Sequence, residues 1–355
     1  MTLDDLASGR SLIYVVTRLF DYAEKIKAEK VEQAVLRGVS RAMQEKGIER
    51  VSSEPIIFVP FRDTAQDRIT AVNKTKIIYE EDLKRLRRLF AMVGFLDGLS
   101  KDEGVCMEIG YAYGLGAPIL IILTDFIRLE FKEMPNSEHL LDPVLSVMAT
   151  GIIHEYKIPN MQASFLDRLT AGLEHVYEKI AEEIYILAAN ISSQRAPSFP
   201  KASFGTSPFD VYIDFGGGHF EWERIFQKRL SHVLSFRGIS VKASQRYTWG
   251  KEFPNTPPSF TDVSSLGLRD ITNAASARVV VICGDGDEMS SGSAAIQGLS
   301  CALNKKILLY DSRETYLVGD NGHRMSRNLM IDYSADKVIR DFDNLPDAIE
   351  TLLRT

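Results

Sequence analysis

The chain has 355 residues, long enough for two domains of ordinary size, with the globular balance of 25% charged and 45% hydrophobic residues. A net charge of −6 speaks against a nucleic-acid-binding surface, the polar, acidic N-terminus is unlike a signal peptide, and no apolar run approaches the ~20 residues that span a bilayer. Cys106, Cys283 and Cys301 stand apart and the six histidines are scattered, so neither a disulfide framework nor a metal site is indicated, and a cytoplasmic protein without cofactor, nucleic acid or membrane partner is expected.

Strand and helix alternate from the start. Apolar runs predict strands over 12–17, 56–60, 91–96 and 118–123, and helical spacing predicts helices over 22–46, 77–89, 104–115 and 161–189. The basic run Lys84-Arg85-Leu86-Arg87-Arg88 lies among acids and reads as a solvated helix face. Residues 192–208 are rich in Ser and Pro and lack periodicity, which marks a linker. Beyond it, strands are predicted over 211–215, 239–243, 279–283 and 306–310, and helices over 221–236, 266–276, 291–303 and 345–353. Such alternation gives parallel sheets with helices on both faces. The expected fold class is α/β, as two tandem flavodoxin-like or Rossmann-like three-layer domains at 1–191 and 209–355.

Residues 97–116 carry the most chemistry. They place Asp97 and Asp102 beyond the C-terminal end of a strand, where open α/β sheets bind ligands, and Glu108 in the first turns of the following helix. A carboxylate there is expected to be held ionised by the helix dipole. Gly104, Gly110, Gly114 and Gly116 would let the helix approach its neighbours closely and end before Pro118.

The second half repeats this pattern at a constant shift of 188. Asp270 falls on Asp82, Asp285-Gly286 on Asp97-Gly98, Gly292 on Gly104, Gly298 on Gly110 and Ile307 on Ile119. Two positions depart: Glu108 falls on Ile296, or on Gln297 with a slip of one residue, and Asp102 falls on Ser290. The second copy therefore reads as degenerate.

Asp102, Gly104, Glu108, Gly110, Tyr111 and Ala112 follow an order that resembles the nucleoside 2-deoxyribosyltransferase family. The chain has Val105 where that family often has Thr, and Ala117 where it often has Lys. The resemblance implies that Glu108 is a nucleophile toward the sugar's anomeric carbon. It implies a general acid/base at Asp82, within Tyr79-Glu80-Glu81-Asp82-Leu83, and leaves Glu80 and Glu81 as exposed helix acids. It implies that Tyr14 orients Glu108 and that Phe20 covers the base, though a core role for Phe20 stays open. Asp102 and Gly104 would meet the sugar, Asp102 also serving as a helix N-cap. Arg62 and Asp63, after Val59-Pro60, would read polar groups of the base.

In that family a neighbouring subunit usually completes the site through Asn-x-Met. Here Asn328-Leu329-Met330 stands in the second half, and the first half has Ser146-Val147-Met148 at the corresponding place. The implied arrangement is a fused pseudo-dimer with one competent site at the junction, contributed to by Asn328 and Met330, with further self-association left open. The expected reaction is transfer of 2-deoxyribose between nucleobases through a covalent glutamyl ester, with a nucleoside and a free base as partners. Hydrolysis of nucleosides or nucleotides by a related N-glycosidase, or a non-catalytic nucleotide-binding module, are the alternatives.

Overall fold

The computed structural model describes residues 1–18, 22–64, 74–98, 101–125, 129–131, 134–190, 209–216, 221–244, 246, 260–285, 289–313, 317–318, 324–325 and 327–355. Phe20 and the expected linker 192–208 lie outside the described residues. The first half runs α1 (Leu3–Ala7), β1 (Leu12–Val16), α2 (Tyr22–Glu45), β2 (Ile57–Phe58), α3 (Pro60–Asp63), α4 (Lys74–Leu86), β3 (Leu89–Phe95), α5 (Glu103–Gly114), β4 (Ile119–Leu123), β5 (Leu129–Phe131), β6 (Met134–His139), α6 (Pro143–Met148), β7 (Gly151–His154) and α7 (Phe165–Asn190). The second half runs β8 (Phe209–Asp214), α8 (Glu221–Phe236), β9 (Val241–Ala243), α9 (Phe260–Ser276), β10 (Ala277–Cys283), α10 (Ser291–Ala302), β11 (Lys306–Tyr310), β12 (Leu317–Val318), β13 (Arg324–Met325), α11 (Leu329–Ser334), β14 (Lys337–Ile339) and α12 (Leu345–Arg354).

Each half builds a five-stranded parallel sheet. The orders β2-β1-β3-β4-β7 and β9-β8-β10-β11-β14 correspond strand for strand. Registers correspond too: Tyr14 lies beside Met92, and Tyr212 lies beside Val280. β1, β3 and β4 are buried throughout, as strands covered on both faces must be. The fold is therefore α/β in two parts, as the alternation of elements predicted.

The fifth strands, β7 and β14, were not predicted. They are four and three residues long and lie at sheet edges, too short to show a periodicity. The short helices α1, α6 and α11 escaped for the same reason.

Three apolar cores hold the described residues together. One lies between the first sheet and α2 with α7, and one between the second sheet and α8 with α12. The largest spans both halves, joining Met107, Tyr111 and Leu145 to Ala295, Leu299 and Ile331. α5 is buried on every side from Gly104 to Tyr113, because its own sheet covers one face and α10 the other. The two helices touch reciprocally. A Cβ at Gly110 would strike the Ala295 carbonyl, and one at Gly298 would strike the Met107 carbonyl. Only glycine permits backbones to approach so closely. Gly110→Ala should therefore destabilise the chain by about 1–3 kcal/mol through overpacking. The denaturant midpoint reads this directly, and an unchanged midpoint would mean that the halves are not held in this register.

Candidate active site

The C-terminal end of β1, the turn after β2, α4 and the start of α5 converge on a cavity of about 180 Å³. Val16, Thr17, Pro60, Phe61, Asp82, Asp102, Gly104, Val105 and Glu108 line it from the first half. Asn328, Leu329 and Met330 line it from the second. Residues separated by more than two hundred positions thus share one wall.

Tyr14 and Glu108 are both buried, and the tyrosine hydroxyl donates to Glu108 Oε1 at 2.6 Å. The Tyr14 ring rests against Phe58, centroids 5.2 Å apart. Burial, then the neighbouring Asp82 charge, push the Glu108 carboxyl well above the usual range, and the Tyr14 hydrogen bond opposes the shift. The expectation that the helix dipole keeps Glu108 ionised is corrected here: α5 begins at Glu103, so Glu108 lies beyond its first turn, where burial dominates. Asp82 is also buried, its Oδ1 has no hydrogen-bond partner, and burial pushes its carboxyl up to about 8. Glu80 and Glu81 beside it reach outward to Lys76 and Lys84.

Asp102 caps α5, its Oδ1 accepting from the Val105 amide at 2.9 Å, and it faces the same cavity. Asn328 caps α11, its Oδ1 accepting from the Met330 amide at 2.9 Å. Its side-chain amide lies over Gly104, where a Cβ would come 2.5 Å from Asn328 Nδ2. Gly104 is thus the gap through which the second half reaches the cavity.

Two sequence expectations need adjustment, and one residue gave no signal. Arg62 and Asp63 do not line the cavity. Asp63 accepts from the Val59 amide at 2.8 Å and from Arg62 Nε at 2.6 Å, and Arg62 also pairs with Glu32. Their neighbours Pro60 and Phe61 occupy the cavity wall instead, a placement set by the turn of α3. The counterpart of Asn328-Leu329-Met330 is Asp142-Pro143-Val144 rather than Ser146-Val147-Met148. Asp142 caps α6 as Asn328 caps α11, accepting from the Val144 amide at 2.8 Å. Glu103 was missed: its Oε1 accepts from the Asn328 amide at 2.9 Å and its Oε2 from Arg327 Nη1 at 3.0 Å. A first-turn acid on a helix gives no sign in sequence that its partner lies in the other half.

The corresponding place in the second half is filled. Tyr212 stands at the Tyr14 position but faces a helix with Ile296 in place of Glu108. Arg246, fully buried, donates to Asp142 Oδ2 at 3.1 Å, Asp214 Oδ2 at 2.9 Å and Asp270 Oδ2 at 3.2 Å. It also reaches Ser290 and Ser293. Asp142 belongs to the first half and lies against Gly292, as Asn328 lies against Gly104.

Residues 31–158 match the family model of nucleoside 2-deoxyribosyltransferase. The match covers part of the first half and supports a nucleoside-related function. The match includes Asp82, Asp102 and Glu108 and stops short of Tyr14 on one side and Asn328 on the other. No curated protein matches the chain. Among solved structures, one from Silicibacter pomeroyi described as a phosphosugar isomerase is 11% identical, covering 98% of this chain and 91% of its own, with a TM-score of 0.23. Among the described residues no helix is long and apolar enough to cross a membrane.

Proposed function

We propose that the protein transfers a 2-deoxyribosyl group from one nucleobase to another at a single site built from both halves. The observation that carries this reading is the buried Tyr14–Glu108 hydrogen bond in the same cavity as Asp82 and Asn328. Burial raises both carboxyls, the Asp82 charge adds to the rise at Glu108, and the reaction calls for one proton on the pair. The Tyr14 hydroxyl favours ionised Glu108, and Asp82, without a donor at Oδ1, keeps the proton.

The chemistry follows from that division. With Oε1 held by Tyr14, Glu108 Oε2 attacks the anomeric carbon as the bond to the base breaks. The Asp82 proton passes to the departing ring nitrogen, which leaves as neutral base. The sugar remains as an ester on Glu108. A second base then attacks the same carbon, gives its proton to Asp82, and frees Glu108. Asp102 and Asn328 supply hydrogen-bonding groups for sugar hydroxyls, and Phe61, Leu329 and Met330 supply apolar contact. The second half is, in this reading, a degenerate copy that keeps the fold and contributes Asn328.

Incubation with a deoxynucleoside, with and without a second free base, tests the proposal. A new nucleoside supports transfer, release of free base alone points to hydrolysis, and no change sinks both. The proton assignment has its own signature. Because the donor must be protonated, kcat/KM should fall as pH rises past about 8. Asp82→Asn should remove that limb and slow natural bases by roughly 10²–10⁴, with much less effect on an activated leaving group. Equal losses on both substrates would assign Asp82 a folding role.

A further inference from the structure

We infer that Glu103 is a positioning residue that holds Asn328 at the cavity wall from across the junction. The inference rests on the reading that Asn328 serves the site. Asn328 begins α11, a helix of six residues, too short to fix its own N-terminus. Its side chain is committed through Oδ1 to the Met330 amide, so toward a substrate it offers Nδ2, and the aim of that group depends on the Asn328 backbone. Glu103 grips that backbone. One carboxylate oxygen takes the Asn328 amide and the other takes Arg327 Nη1, both charge-assisted bonds at 2.9 and 3.0 Å.

Arg327 ties this clamp to the body of the second half. It is 2% exposed, bonds the Gly284 carbonyl and stands 4.0 Å from Asp311. Glu103 itself does not line the cavity, yet it is flanked by Asp102 and Gly104, which do. Loss of the Glu103 carboxylate therefore removes the grip on the Asn328 amide and takes no group from the cavity lining. The corresponding junction in the second half has Ser291 in place of Glu103 and Asp142 in place of Asn328. There the charged group that holds the cap residue is Arg246. Each cap is thus secured by a partner suited to it.

A simpler role is open to any first-turn acid: favourable interaction with the helix dipole. That role needs a charge and no particular acceptor, so Glu103→Gln and Glu103→Ala would behave alike. Positioning needs an acceptor at Oε1, which glutamine retains. In the full-length protein, supplied with a deoxynucleoside and an acceptor base, Glu103→Ala is expected to lower kcat/KM roughly 10–10²-fold. Glu103→Gln, which keeps the acceptor for the Asn328 amide but loses the one for Arg327, should recover part of that loss. In an Asn328→Ala background Glu103→Ala should add little, since it acts through a side chain already removed. Additive losses, or equal losses for Gln and Ala, would overturn the inference.

A second measurement does not depend on turnover. Amide hydrogen exchange over residues 327–331 should accelerate at least about tenfold in Glu103→Ala, with β3 unchanged and Glu103→Gln still protected. Unchanged exchange at 327–331 rejects the clamp whatever the activity. Accelerated exchange in a protein whose wild type turns over no nucleoside keeps the clamp and rejects the function.

Discussion

Glu108→Gln should fold as the native protein does and lose nearly all turnover, on the order of 10³-fold or more. Glutamine preserves the shape and an acceptor for Tyr14, so the loss isolates the missing nucleophile. The stability of the variant separates this from misfolding. Glu108 has its pKa raised by burial and by Asp82, so the stability linked to it is full below the ordinary carboxylate pKa and is lost as pH rises through the raised value. The variant lacks that loss and should match or exceed the wild type in thermal midpoint at pH 8. A 2-fluoro-2-deoxy nucleoside should add mass to a wild-type peptide containing residue 108 and to none from the variant. A label on another residue, or substantial turnover by Glu108→Gln, would reject the nucleophile.

Arg246→Ala should cost about 3–5 kcal/mol, because it leaves Asp142, Asp214 and Asp270 buried without their cation. All four side chains are completely buried, so water does not replace the lost partner. Burial already pushes the Asp270 carboxyl up to about 6 in spite of Arg246, and removal of the guanidinium raises it further. A raised carboxyl loses stability as pH rises, so the variant should be more stable at pH 5 than at pH 8. Millimolar methylguanidinium should restore part of the midpoint by occupying the vacated space. A cost below about 1 kcal/mol would show that the aspartates find other partners. Because Arg246 joins Asp142 of the first half to Asp214 and Asp270 of the second, the same variant tests whether this network holds the junction on the side away from the cavity.

The alternation of apolar runs with amphipathic helices was enough to read the α/β class, since period and length are local properties. The 188-residue offset of the glycines was readable for the same reason, and it leads to the meeting of α5 and α10 at Gly110 and Gly298. Asp82, Asp102, Glu108, Asn328 and Met330 were singled out from motif order, and they line one cavity. Arg62 and Asp63 were singled out by position after a strand, but adjacent opposite charges satisfy each other when the turn permits it. The offset itself failed at Asn328, whose counterpart is Asp142, because the constant shift does not continue past the β5–β6 and β12–β13 hairpins.

The sequence by itself determined which residue types sit at strand ends and helix starts, and hence which carboxyls could work together. Only the tertiary structure decided their state and company. Burial, which depends on what the rest of the chain lays over a helix, raises Glu108 and Asp82 and overrides the dipole. Contacts across the junction, which no local pattern encodes, bring Glu103 to Asn328 and close the second pocket around Arg246.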